Sequence, residues 1–150
     1  MTSATWFVSS ERKRVVVDSN VLISAALYPD SPAALAYVAA AFHCDLYASD
    51  ETLAELHQVL MRDKFDRYFA LGGPTRERFL SDYRALVQLA EITEVATDCP
   101  DPKDNAFLSL ALSIRADFLI SGDRKHLLPM HPYRGTAILS CEQFLRTLAA

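Results

Sequence analysis

Short apolar runs alternate along this chain with longer segments whose apolar residues recur every three or four positions. The run Arg14-Val15-Val16-Val17 is β-branched and apolar on both faces, as a buried parallel strand is, and Asp18 closes it. Residues 20–27 read as a first helix, ended by Tyr28-Pro29-Asp30. Ser31 and Pro32 open a second helix that runs to about His43, with serine as cap and proline at the first helical position. A second strand follows over 45–48. Ser49 or Asp50 then caps a third helix with Leu53, Leu56 and Leu60 as its apolar stripe.

The second half repeats the alternation. Residues 63–71 are polar and partly helical, and Gly72-Gly73-Pro74 breaks them. The spacing predicts an amphipathic helix over 75–89, with Phe79, Tyr83, Leu86 and Val87 inward, and a third strand over 92–95. A helix over 104–115, strands over 117–121 and 136–139, and a closing helix capped by Ser140 complete the chain. Strands separated by helices imply parallel β–α–β units, so the expectation is an α/β fold with helices on both faces of a central sheet. Residues 1–13 carry no sustained period and read as a tail or extension. One domain then runs over 14–150, with no repeat and no linker.

Composition narrows the picture only a little. At 51% hydrophobic and 23% charged residues, the chain is ordinary for a globular cytoplasmic protein. The longest apolar run, residues 33–42, is far below the ~20 residues needed to span a bilayer, so no membrane partner is expected. Cys44, Cys99 and Cys141 share no C-x-x-C spacing, which argues against a zinc site or a disulfide framework. A net charge of −4 argues against binding nucleic acid by bulk electrostatics. It does not exclude a nucleic-acid substrate, because grouped carboxylates inflate the count and a divalent cation would reverse the local sign.

The chemistry lies in four acids. Asp18 follows the valine strand, Glu55 lies early in the third helix, Asp104 opens a helix, and Asp123 follows the run Phe118-Leu119-Ile120. Each has a structural role open to it: Asp18 as a cap, Glu55 on a solvated face beside Glu51, Asp104 in a capping-box-like start behind the cap Asp101, Asp123 in a turn. Their joint placement points further, since positions just past parallel strands lie at the sheet's carboxyl edge, where open α/β folds bind ligands. Two carboxylates ~5 Å apart repel by roughly 3 kcal/mol at an effective dielectric of about 20, so four together demand protons or a cation. Oxygen ligands without histidine or cysteine suit Mg²⁺ or Mn²⁺. Ser19, Asn20 and Ser121 add neutral hydrogen-bonding groups beside the acids, and Lys103, Arg124 and Lys125 add positive charge suited to a phosphodiester. The histidines have no metal-binding spacing, and no G-x-S-x-G elbow or glycine-rich phosphate loop occurs.

Together, Val-Val-Val-Asp18-Ser19-Asn20-Val21-Leu22, Thr-Leu-Ala-Glu55-Leu, Asp101-Pro102-Lys103-Asp104 and Ala-Asp-Phe-Leu-Ile-Ser121-Gly122-Asp123 resemble the PIN domain, most closely its toxin branch in toxin–antitoxin pairs (VapC-like). The resemblance covers roughly residues 14–148. It implies a three-layer α/β/α sandwich around a parallel sheet and an Mg²⁺- or Mn²⁺-dependent endoribonuclease. It also implies a homodimer and a small antitoxin protein. Asp18, Glu55, Asp104 and Asp123 match the family's acidic metal-binding positions, and Asn20 and Ser121 its supporting polar positions. Two rivals stand beside this reading. One is a phosphotransfer protein or phosphatase using Asp18 as nucleophile, although such enzymes usually carry a second acid where Asn20 stands. The other is a non-catalytic partner-binding module whose acids receive an arginine.

Overall fold

The three valines of the first strand face opposite ways, and that alternation builds two cores. The computed structural model describes residues 12–150, so residues 1–11 of the expected tail lie outside the described residues. In β1 (Arg14–Val17), Val15 and Val17 join one apolar cluster and Val16 the other. The first cluster packs α1 (Ser19–Leu27), α2 (Pro32–His43), α3 (Asp50–Leu60), α5 (Arg76–Leu86) and α7 (Cys141–Ala149) onto one face of the sheet. The second packs α6 (Asn105–Ile114), with Ala96, Cys99, Leu127 and Tyr133, onto the other face. A short α4 (Asp66–Phe69) lies between α3 and α5 in the chain. The expected three-layer α/β/α sandwich is the observed one.

The remaining strands are β2 (Asp45–Ala48), β3 (Gln88–Leu89), β4 (Phe118–Ile120) and β5 (Ala137–Leu139). They form one parallel sheet in the order β3-β2-β1-β4-β5. Caps fall where serine was read as a start signal: Ser31, Ser49 and Ser140 each accept an amide three residues on. Leu53, Leu56 and Leu60 are buried, and all three cysteines are free and buried. No single helix among the described residues is long and apolar enough to cross a membrane.

Three expected elements are corrected. The helix expected over 75–89 stops at Leu86. It buries Leu80 and Tyr83, while Leu86 is exposed and Gln88–Leu89 become edge strand β3. The strand expected over 92–95 does not form. There the amides of Thr93 and Glu94 donate to Ser113 Oγ, and that of Ala96 to Ser109 Oγ, so hydroxyls of α6 satisfy the backbone that a neighbouring strand would have satisfied. The helix expected from Asp104 begins at Asn105, after a single 3₁₀ turn over Pro102–Asp104. That turn sets the direction in which Lys103 and Asp104 leave the backbone.

Candidate metal centre at the sheet switch point

From β1 the chain builds outward through β2 and β3, then crosses back to lay β4 on the other flank of β1. The gap between the carboxyl ends of β1 and β4 is therefore the sheet's topological switch point, where such folds open a crevice. Asp18 and Ser121 are the residues that immediately follow these two strands. Val17 is in register with Ile120, and the Asp18 amide donates to Ile120 O at 3.0 Å. Asp18 performs two tasks at once. Its Oδ1 accepts the Val21 amide at 3.1 Å and caps α1, while its Oδ2 accepts the Ser121 hydroxyl.

Ser121 continues the chain of contacts. Its oxygen accepts the Asp123 amide at 3.0 Å, and Asp123 Oδ1 in turn accepts the amides of Lys125 and His126, each at 3.0 Å. The turn expected around Asp123 exists, and it holds the carboxylate rather than displacing it from the crevice. Asp123 shares a hydrogen bond with Asp104. Glu55, half-buried in the second turn of α3, lines a cavity together with Asp18, Ser19, Asn20, Lys103 and Asp104. The fold thus brings Asp18, Glu55, Asp104, Asn20 and Lys103 to the lining of one crevice, while Ser121 and Asp123 lie outside that lining and connect to it through Asp18 and Asp104. Arg124 is directed elsewhere, into a separate depression with Leu128, His131 and Gln143.

Electrostatics follow from the crowding. Burial pushes the Asp18 carboxyl up to about 6, against the opposing hydrogen bonds from Ser121 and Val21. Burial, the hydrogen bond with Asp123 and the charge on Asp123 push Asp104 up to about 7. For Asp123, burial works against ionisation, but the His126 amide, Asp104 and the Lys125 amide prevail and hold its carboxyl below the ordinary range. Their proximity thus favours one proton shared across the Asp104–Asp123 pair.

The donor set fits a hard divalent cation. Its groups are carboxylate oxygens, and burial raises the pKa of two of them, Asp18 and Asp104, a shift that a cation would oppose. Ser19 Oγ is buried in this cavity wall without a hydrogen-bond partner, an orphan that a bound ligand's oxygen would satisfy. Three further residues of the site, Asp101, His126 and Arg62, escape a reading of the sequence, whereas Ser19 stands among the polar groups it offers beside the acids. Asp101 does cap the 3₁₀ turn by accepting the Lys103 amide at 3.1 Å, yet it also lines the cavity. Asp101, Asp104 and His126 hold ligand atoms all within 4.8 Å of one another. Arg62 completes the group. The signals were present: Arg62 stands seven residues, two helical turns, beyond Glu55, and His126 three beyond Asp123.

Comparison with known proteins agrees with this architecture. The sequence profile of the PIN domain matches residues 14–125. Among solved structures, VapBC2 from Rickettsia felis, bound to a DNA fragment from their promoter, superposes with a TM-score of 0.56 at 11% identity, covering 85% of this chain and 98% of that one. No curated protein matches the sequence.

Proposed function

The chain belongs to the PIN domain family, and from that premise we propose that it is a metal-dependent endoribonuclease, the toxin of a toxin–antitoxin pair. One observation carries the reading: Asp18, Glu55 and Asp104 line a single crevice at the switch point, with Asp123 hydrogen-bonded to Asp104. Asp18, Glu55, Asp104 and Asp123 are the residues assigned to hold Mg²⁺ or Mn²⁺. Such an ion, when bound, lowers the pKa of a coordinated water and stabilises charge on a phosphoryl oxygen.

The chain's own groups do the rest. Ser121 fixes the Asp18 carboxylate in one rotamer, and the amides of Lys125 and His126 do the same for Asp123. Asn20 and Lys103 offer a neutral donor and a cation toward the phosphodiester. Asp18 is a poor nucleophile here, since both its oxygens are engaged and only 3% of the residue is exposed.

An antitoxin and a second copy of the chain are the proposed partners, and the cytoplasm the proposed location. In support, Leu35, Val38 and Phe42 form an exposed apolar stripe on α2, 51–74% accessible, of the kind that association covers. The deciding experiment incubates purified protein with total RNA, with Mn²⁺ or with EDTA. Expected is cleavage that needs the metal and disappears in Asp18→Asn and Asp104→Asn. Cleavage retained by both variants would remove these acids from the reaction, and no metal-dependent cleavage by the wild type would assign the chain to the partner-binding rival.

A further inference from the structure

Two cations line the acidic crevice, and they come from separate elements. Lys103 projects from the 3₁₀ turn beside Asp104, and Arg62 follows the end of α3, the helix that carries Glu55. Arg62 combines an anchored backbone with a free head. Its amide donates to Val59 O at 3.2 Å. Its carbonyl accepts Arg76 Nη2 at 3.1 Å, from a guanidinium that also donates through Nε to Leu60 O at 2.7 Å and pairs with Asp66 at 2.7 Å. Arg76 lies over the Phe69 ring at 4.7 Å, which fixes its plane. One half-buried arginine thus holds the backbone that presents another. The Arg62 guanidinium itself makes no hydrogen bond or ion pair among the described residues, although it lines a cavity rich in carboxylates.

We propose that Arg62 and Lys103 are substrate-positioning residues that grip the phosphates flanking the cleaved bond, with the RNA strand laid along the crevice. This rests on the ribonuclease reading and extends it to the path of the substrate. The chemistry suits the placement. A divalent ion would neutralise the acids at the crevice floor, leaving the rim cations to meet the polyanion. Arginine offers a rigid fork to two phosphate oxygens, whereas Lys103 contributes a point charge. Arg62 thereby takes the position for which the sequence nominates Arg124, whose side chain lies in a different depression.

The test measures binding apart from cleavage. A fluorescent single-stranded oligoribonucleotide is titrated with Asp18→Asn protein in Mn²⁺, at several salt concentrations, alone and combined with Arg62→Ala, Arg62→Lys, Lys103→Ala, Arg124→Ala or Arg84→Ala. Removing Arg62 or Lys103 is expected to weaken binding about 5- to 10-fold and to lower the slope of log affinity against log salt by about 0.7, one phosphate contact on a single strand. Arg62→Lys keeps the slope, and Arg84→Ala, on the exposed side of α5, changes neither quantity. In cleaving protein, Arg62→Ala raises KM more than it lowers kcat. Unchanged affinity and slope in Arg62→Ala, or a larger effect from Arg124→Ala, overturns the proposal while wild-type cleavage keeps the ribonuclease reading intact. Absence of both binding and cleavage in the wild type overturns both.

Discussion

Asp18 is asked to be a helix cap, a hydrogen-bond acceptor and an ionised ligand in a place that desolvates it. The cap needs one acceptor, which an amide oxygen supplies, and the Ser121 hydroxyl can instead accept from the amide nitrogen; the third task is what burial opposes. Raising a carboxyl from 3.8 to about 6 corresponds to roughly 3 kcal/mol of strain in the charged form. Asp18→Asn keeps the cap on Val21 and removes that strain, so the metal-free variant should melt roughly 5 °C higher at pH 8 by circular dichroism, while RNA cleavage is lost. Ser121→Ala is expected to act in the opposite direction. It strips a donor from Asp18 and an acceptor from the Asp123 amide, costing about 1–3 kcal/mol in urea unfolding and weakening Mn²⁺ binding in calorimetry.

Elements were legible wherever one signal acted alone. The valine strand, the Ser31-Pro32 start and the leucine stripe of α3 each combine a cap or a period with burial, and each lies where the pattern puts it. Legibility fails where a distant side chain replaces the expected partner. Ile92 to Val95 has strand composition, but the hydroxyls of Ser109 and Ser113 take its amides, an arrangement that no local pattern encodes. Three of the four acids were readable because each follows a strand or opens a helix, and Glu55, in the second turn of α3, because that turn lies near the same sheet edge. Arg62 was not, because its importance lies in what Arg76 does to its backbone sixteen and fourteen residues away. At this scale the expected outcome is specific. Arg76→Ala should loosen the last turn of α3, so that hydrogen exchange at Val59 to Arg62 quickens markedly while amides of α1 and α6 retain their protection.

The whole molecule titrates as its crevice does. Asp18 and Asp104 hold their protons to higher pH in the fold than in the unfolded chain. Their contribution to stability is therefore complete below the ordinary value of 3.8 and is lost as pH rises through about 6 and about 7. Asp123 shifts the other way and contributes nothing variable across that window. Metal-free protein should accordingly melt lower at pH 8 than at pH 5, and saturating Mn²⁺ should reverse the order, because the ion binds the ionised site. A thermal-shift series across pH with and without Mn²⁺ checks the sign, and Asp18→Asn should flatten the metal-free curve.

The hydrogen bond between Asp18 and Ser121 joins residues 103 positions apart. A ribosome therefore finishes most of this polypeptide before the first acid can meet its late companions, and every shorter nascent fragment lacks the assembled centre. On the proposed nuclease reading, every fragment that stops short of Asp123 is harmless by topology alone.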